Sequence, residues 1–149
     1  MRFEIRRYDD PGVTALIAEL QQEYVRRYGE QDVTLVDPAQ FAEPSGLFLV
    51  CVVDDAVAAM GGWRRHDETS VEIKRMYVPE VMRRRGLARA VLAELERRAG
   101  AAGMRRIVLN TGEQQPEAVA LYRSAGYLPT DGFGHYAAAP LALFFAKDL

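Results

Sequence analysis

Arg83-Arg84-Arg85-Gly86-Leu87-Ala88 lies between a predicted strand and a predicted helix. The preceding segment, 70–78, is rich in β-branched and aromatic residues, which indicates a strand. In the following segment, 86–101, apolar residues recur at helical spacing. A strand that turns through glycine into a helix presents free backbone N–H groups and the positive end of the helix dipole. The segment therefore predicts a site for a cofactor that carries a phosphate or diphosphate.

Two widespread phosphate-binding motifs are absent from the chain. The nucleoside triphosphatase loop ends in Lys-Ser or Lys-Thr, and neither dipeptide occurs. The dinucleotide fingerprint Gly-x-Gly-x-x-Gly is also missing, because Arg84 and Ala88 flank Gly86 at a distance of two residues. What is present is Arg83-x-x-Gly86-x-Ala88, in which Gly86 allows the backbone to approach an anion closely and Ala88 leaves room beside it.

A second segment, 109–127, places Pro116 where a helix begins and Gly126 where it ends. Four residues between them share one face of a short helix: Ala118, Leu121, Tyr122 and Ala125. The two segments resemble motifs of the GNAT acyltransferase superfamily, Gln/Arg-x-x-Gly-x-Gly/Ala followed by Asn-x-x-Ala-x-x-Leu-Tyr-x-x-x-Gly-Phe/Tyr. One position departs from that pattern, since Gln115 stands where the family most often has Asn.

The predicted order of elements is β-α-β-β-β-α-β-α-β, which is the order of the GNAT fold. The predicted strands cover 3–8, 47–53, 56–64, 70–78, 105–110 and 141–146, and the predicted helices begin at Pro11, Gly86 and Pro116. The segment 37–46 is expected to be a loop or a short helix, 54–55 a tight hairpin, and Gly61-Gly62 a bulge or a place of close approach by a ligand. The resemblance implies a mixed α/β fold: a twisted mixed sheet of about six or seven strands flanked by about four helices, with the fourth and fifth strands splayed apart.

The same resemblance implies that acetyl-CoA is the cosubstrate and that its pantetheine arm lies along the fourth strand. We expect the cofactor-binding residues to be Met76, Tyr77, Val78, Arg83, Arg84, Arg85, Gly86, Leu87, Ala88, Arg89, Asn110 and Gln115. A solvated face explains the arginines less well than phosphate binding, because they stand at a helix start. For Asn110, a turn-forming role is an equal alternative.

Acetyl transfer from a thioester to an amine needs a base for the amine, a donor for the carbonyl oxygen and an acid for the thiolate. Glu72 is the candidate base, because its spacing to Gly86 resembles that of the catalytic glutamate in some GNAT lysine acetyltransferases. Strand alternation predicts one shared face for four residues: Glu72, Lys74, Met76 and Val78. An exposed strand carboxylate paired with a neighbouring Lys or Arg is the alternative explanation of Glu72.

Tyr122 is the candidate acid, because the resemblance places this tyrosine beside the cofactor sulfur. A phenol with a pKa of about 10 can protonate a thiolate of comparable basicity. The alternative is a tyrosine that packs its helix onto the sheet. The resemblance also implies that a backbone N–H near Met76 or Tyr77 stabilises the oxyanion.

Composition narrows the class of protein. The 149 residues fit a single domain, 1–149, and the net charge of −2 argues against a nucleic-acid-binding protein. The only cysteine, Cys51, lies in an apolar run and is expected to be a buried, inert thiol. His66 and His135 lack companions at metal-ligand spacing, so we expect no metal. No signal peptide and no apolar stretch of about 20 residues is visible, so we expect a cytoplasmic protein without membrane contact.

The sequence thus predicts an acetyl-CoA-dependent N-acetyltransferase that acts on a primary amine of a small molecule, peptide or protein. The alternative is a catalytically silent module that binds CoA as a sensor or partner. No motif identifies the acceptor, which we expect to contact segments 24–46 and 129–140, with Tyr136 in a loop that can close over it. The first of these segments and the helix before it have an acidic bias, which favours either a cationic acceptor or simply a solvated face. A homodimer is compatible with the family resemblance.

Overall fold

The computed structural model describes all 149 residues. Seven strands form one sheet in the order β1-β2-β3-β4-β5-β7-β6. The strands are β1 (Arg2–Ile5), β2 (Gly46–Val53), β3 (Ala56–Arg65), β4 (Ser70–Tyr77), β5 (Arg106–Gly112), β6 (Leu128–Pro129) and β7 (Ala142–Asp148). Only β4 and β5 are parallel neighbours, and every other pair is antiparallel. The predicted mixed sheet is confirmed, and β6 is the one strand that the sequence pattern missed.

Three α-helices and two single 3₁₀ turns accompany the sheet. The α-helices are α1 (Pro11–Tyr28), α2 (Leu87–Ala101) and α3 (Pro116–Ser124), and the 3₁₀ turns are Pro38–Phe41 and Glu80–Met82. The predicted start of α1 is confirmed, since Asp10 Oδ2 accepts hydrogen bonds from the backbone N–H groups of Gly12 (3.0 Å) and Val13 (3.3 Å). None of the helices combines the length and apolar character that crossing a membrane requires.

Helices cover both faces of the sheet and divide the core in two. On one face, α2 packs Val91 and Leu95 against Leu49 and Cys51 of β2. On the other face, α1 lies over the side chains that alternate with these, so that both faces of β2 are buried. This explains the continuous apolar run of β2, and it confirms that the Cys51 thiol is buried.

The hairpin between β2 and β3 turns at Asp54 and Asp55, as predicted. Both residues have positive φ angles, 50° and 62°. A two-residue turn of this kind matches the twist of the strands that it joins.

β4 and β5 pair over only part of their length. The pairing runs from Ser70 opposite Arg106 to Ile73 opposite Leu109 and then stops. Beyond Ile73 and Leu109 the two strands continue without pairing to each other, to Tyr77 and Gly112. The predicted splay is confirmed, and it opens the sheet between two exposed strand edges.

A β-bulge interrupts β4 just where it separates from β5. Met60 pairs with Tyr77 and Gly62 pairs with Lys74, so an interval of two residues on β3 lies opposite an interval of three residues on β4. Arg75 absorbs the extra residue with a φ of 61°. Lys74 and Arg75 therefore both reach Asp32, on the α1 face of the sheet.

The bulge makes the prediction of one shared face wrong. Met76 and Val78 pack into the core cluster on the α2 face, whereas Glu72 and Lys74 lie on the opposite face. Alternation fails because the inserted residue reverses every side chain that follows it. The close approach at Gly61 is made by core side chains, since a Cβ there would stand 2.9 Å from Met76 Sδ.

Candidate active site

The split between β4 and β5 opens into a cavity of about 300 Å³. Residues 73–76 of β4 form one wall and residues 109–112 of β5 form the other. The C-terminal end of α1, the helix α3 and the loop before β7 close the remaining sides. The cavity brings together four of the predicted site residues: Met76, Asn110, Gln115 and Tyr122.

The turn before α2 has the geometry of an anion site. Gly86 is the N-cap of α2 in the left-handed conformation, with a φ of 74°, and no side chain caps the helix. Ala90 N–H is bonded to the Gly86 carbonyl, so the N–H groups of Leu87, Ala88 and Arg89 precede the first intrahelical donor. A Cβ at Gly86 would meet nothing within 4 Å, so the side of the turn at Gly86 is open. The predicted residues of the turn are thus together at one helix terminus.

The four arginines of this region have different environments. Arg83 Nε donates to the Val78 carbonyl (2.8 Å) and its Nη2 donates to Glu23 of α1 (2.7 Å). Arg83 therefore links the turn to α1. It also occupies one acceptor position of the Val78 carbonyl, which we expected to face the cofactor. Arg89 Nη2 donates to Ser124 Oγ of α3 (2.6 Å). The remaining two, Arg84 and Arg85, are exposed and form no ion pair within the chain.

Tyr122 lies in the cavity wall, with 6% of its surface exposed. Its ring packs edge-on against Tyr127 at 5.7 Å, and its hydroxyl makes no hydrogen bond within the protein. Burial raises the pKa of Tyr122 well above its ordinary value, so the phenol is protonated at neutral pH. Tyr122 is thus a protonated phenol in the wall of the cavity.

Glu72 is buried but does not line the cavity. Arg64 Nε donates to Glu72 Oε1 at 3.0 Å, and Lys74 Nζ lies 4.0 Å from Oε2. Arg64 also donates to the Leu35 carbonyl and to Gln40. Lys74 thus lies between Glu72 and the cavity. Glu72 forms a buried ion pair with Arg64, as the alternative explanation of this residue predicted.

The charged residues in the cavity wall are ones that the sequence did not single out. Arg75 Nη1 donates to Asp32 Oδ2 at 3.0 Å, and Lys74 Nζ lies 3.7 Å from the same oxygen. Burial by itself raises the pKa of Asp32, but Lys74, hydrogen bonds from Thr34 and Arg75 together lower it below its ordinary value. Burial lowers the pKa of Lys74, against the opposing effect of Asp32 and Glu72. No sequence signal marks Asp32, because it lies in an irregular loop.

The acidic bias near α1 does not produce a negative cavity. Only Glu30 and Asp32 of the acidic residues in that region line the cavity, and Asp32 is bonded to Arg75. Glu23 is bonded to Arg83. The sequence-based hint of a cationic acceptor therefore finds no support in the charges of the wall.

The C-terminal end of α1 closes the cavity beside β5. Tyr28 donates from its hydroxyl to Gln115 Oε1 at 3.1 Å, and it lies against Gly112, where any Cβ would collide with it. Arg27 donates to the Gln114 carbonyl at 2.7 Å and pairs with Glu117. The additional methylene of Gln115, relative to the Asn of the family pattern, serves this contact with α1.

Two loops form the rim of the cavity opposite α2. Tyr136, in the loop before β7, lines the cavity, and its hydroxyl accepts a hydrogen bond from Val33 N–H at 3.0 Å. The loop after α1, which contains Val33, is also held by Gln21 of α1. The Gln21 side chain forms hydrogen bonds with both the carbonyl and the N–H of Asp32. These are the two segments that we expected to contact the acceptor.

The sequence matches the Acetyltransferase (GNAT) family over residues 13–127. The protein belongs to the GNAT acetyltransferase family. It is 34% identical over 138 residues to an IAA acetyltransferase of Azospirillum brasilense, an alignment that covers 92% of this chain and 90% of that protein. The resemblance inferred from the two motifs is confirmed, and the protein is an acyltransferase.

Solved structures agree with this assignment. A Klebsiella pneumoniae protein assigned as an acyl-CoA N-acyltransferase superposes with a TM-score of 0.82 at 27% identity, covering 99% of this chain and 97% of that one. A GNAT acetyltransferase of Elizabethkingia anophelis with acetyl-CoA bound has a TM-score of 0.72 at 16% identity, with 99% and 97% coverage, and shares the fold. The structure groups no three His, Cys, Asp or Glu side chains that could hold a metal ion.

Proposed function

We propose that the protein is an acetyl-CoA-dependent N-acetyltransferase that acetylates a primary amine of a small molecule, peptide or protein. The observation that carries the proposal is the cavity between the unpaired edges of β4 and β5, with Tyr122 in its wall. The exposed helix terminus at Gly86 lies at the end of the connection that leaves β4. A cosubstrate with a diphosphate and an extended amide-bearing arm fits this combination of helix terminus and strand edge.

For the donor, the N–H groups of Leu87, Ala88 and Arg89 hold the diphosphate, and Arg84 and Arg85 supply positive charge. The β4 edge at Met76 and Tyr77, together with Val78 just beyond it, pairs with the amides of the pantetheine arm. Asn110 of β5 and Gln115 at the start of α3 face that arm. Arg83 supports the site by fixing the turn to α1. Relatives of the same fold that were solved with acetyl-CoA or with CoA support this reading.

Bound acetyl-CoA supplies a thioester whose carbonyl carbon is open to attack by an amine. As the C–N bond forms and the C–S bond breaks, the backbone N–H groups near the bulge at Met76 and Tyr77 stabilise the negative charge on the carbonyl oxygen. Tyr122 gives its proton to the departing sulfur. Burial raises the pKa of Tyr122 and so keeps the phenol protonated at neutral pH, and the same burial disfavours the charged thiolate and makes it a stronger base for that proton. Glu72 receives the amine proton through water beside Lys74 and is the proposed base of the reaction.

In this proposal the protein is a single domain in the cytoplasm. It holds no metal ion and binds neither nucleic acid nor a membrane. A homodimer is also part of the expectation from the family. The catalytic reading is favoured over a silent CoA-binding module, because an acetyltransferase is among the curated relatives.

Thermal unfolding with acetyl-CoA, CoA or ATP tests the donor site first. We expect acetyl-CoA and CoA at millimolar concentration to raise the Tm and ATP to leave it unchanged, because a ligand that binds only the native state stabilises it. Thiol release in the presence of a panel of primary amines then tests transfer. A Tm shift without thiol release for any amine would favour the silent module, and no shift would contradict the donor site.

A further inference from the structure

Five charged side chains form an alternating row that leads into the cavity, and only the last three of them line its wall: Arg64, Glu72, Lys74, Asp32 and Arg75. Arg64 is bonded to Glu72 at 3.0 Å, and Arg75 is bonded to Asp32 at 3.0 Å. Each carboxylate therefore has an arginine of its own. Three positive charges face two negative charges, and Lys74 is the cation left over.

Lys74 has no hydrogen-bond acceptor within the protein. Its Nζ lies 3.7 Å from Asp32 and 4.0 Å from Glu72, and both distances exceed those of a hydrogen bond. Only 9% of the side chain is exposed, and the residue lines the cavity. An ammonium group has three donors, and burying it is costly unless they are satisfied. The nearest space in which an acceptor atom can stand is the cavity itself.

The ammonium group of Lys74, which has no hydrogen-bond acceptor, specifies what fits beside it. A carboxylate carries one negative charge and offers two acceptor oxygens. A second cation placed there would be repelled by Lys74. Glu30, the other acidic residue of the wall, is exposed and forms no ion pair with Lys74.

We propose that Lys74 binds the carboxylate of the acceptor and that the acceptor is a small amino acid, with its amine and carboxylate in one molecule. The inference rests on the proposed function, since it names the substrate class of the same site. The carboxylate at Lys74 and the thioester near Tyr122 share a cavity of about 300 Å³, which suits a small acceptor. Lys74 is then a specificity residue, separate from the groups that move protons.

Matched pairs of acceptors test this assignment. Glycine, β-alanine, alanine and leucine are each compared with the corresponding carboxamide, and 2-aminoethylphosphonate and putrescine represent other charges. We expect kcat/KM to favour the carboxylate of the best pair by about tenfold or more, the factor that corresponds to about 1.4 kcal/mol. In Lys74→Met this ratio falls to about one through a higher KM for the acid, while KM for acetyl-CoA is unchanged. Lys74→Arg retains the preference.

Lys147→Met is the matched control. Lys147 is the only other lysine, and its Nζ lies 3.1 Å from Glu96 and not in the cavity. This variant also replaces a lysine by methionine, and it loses a half-buried ion pair, so its stability should fall while the preference for the carboxylate is kept. If Lys74→Met does not fold, the ratio measured with the wild type and with Lys74→Arg decides the question.

Three results would overturn the inference while leaving the proposed function intact. They are equal or better acetylation of the carboxamides or of putrescine, a preference for the phosphonate over every amino acid, and an unchanged preference in Lys74→Met. If acetyl-CoA fails to shift the Tm and no amine is acetylated, the proposed function fails, and the inference fails with it.

Discussion

Gly86 and Gly103 flank α2 in the same left-handed conformation, with φ angles of 74° and 84°, and a Cβ at either position would meet nothing within 4 Å. Gly86 precedes the N-terminal amides of the helix and Gly103 follows its C-terminus. The two positions therefore share a left-handed backbone and open surroundings, and they differ in whether the helix end attracts an anion.

Replacement of either glycine by alanine separates folding from donor binding. We expect Gly86→Ala and Gly103→Ala each to lower the free energy of unfolding by about 1 kcal/mol, the cost of a left-handed alanine. Only Gly86→Ala should raise KM for acetyl-CoA, by about tenfold, because its methyl group stands over the diphosphate site. Urea denaturation and initial rates measure the two effects, and equal KM values for the two variants would contradict the proposed donor site.

Tyr122→Phe removes the proposed acid and keeps the ring. We expect kcat to fall by about 100-fold at neutral pH with KM for acetyl-CoA little changed, as is typical of a lost general acid. Because burial raises the pKa of Tyr122, the wild-type enzyme should show no alkaline loss of activity from this group below about pH 10.

Tyr127→Phe is the control for that variant. Tyr127 packs on Tyr122 and donates to Glu96 at 2.8 Å, outside the cavity. Its loss should cost about 1 kcal/mol of stability and leave kcat within a factor of about two. Similar kcat values for both variants would assign Tyr122 to packing.

Glu72→Gln decides between a base and a structural carboxylate. If Glu72 takes the amine proton through water, kcat/KM should fall by about 100-fold. Glu96→Gln, which changes a half-buried carboxylate bonded to Lys147 away from the cavity, should keep the wild-type kcat/KM. A Glu72→Gln enzyme that is less stable but has the wild-type kcat/KM would show that Glu72 serves only Arg64 and Lys74.

Asp32→Asn should weaken the protein at neutral pH and make it less sensitive to acid. The pKa of Asp32 in the folded protein is lowered, so its carboxylate stabilises the fold above the unfolded value near 3.8, and that stabilisation is lost as the pH falls below it. Removing this partner of Arg75 and Lys74 should cost about 3 kcal/mol at pH 7, as for other broken buried ion pairs.

The difference in unfolding free energy between wild type and Asp32→Asn should therefore stay constant down to about pH 4 and shrink between about pH 4 and pH 2, measured by urea denaturation at each pH. Asp148→Asn, whose side chain is 91% exposed, should change stability by less than about 0.5 kcal/mol throughout. A constant difference for Asp32→Asn across this range would contradict the role of its ionised form.

The glycine turn at Gly86 before α2 and the short helix from Pro116 were predictable from the sequence because their signals are local. A glycine before an apolar helical repeat, a proline at a helix start and an Asp-Asp turn between two apolar runs each act within a few residues. The element order follows from such signals, and with it the splay of β4 and β5 that the family resemblance implied. The two-residue strand β6 was not predictable, since it is too short to show a period.

The charges and faces of the site were decided by tertiary structure. Arg75 meets Asp32 across 43 residues of chain, Arg83 meets Glu23 across 60, and Tyr28 meets Gln115 across 87. Periodicity cannot report such pairs, because they depend on how α1 and its loop pack over the sheet. The bulge at Arg75 is also a product of pairing with β3, and it turns Met76 to one face and Lys74 to the other. The sequence alone determined the helix terminus and strand order of the proposed donor site, whereas the packing of α1 and the bulge in β4 decided which charges line the proposed acceptor site.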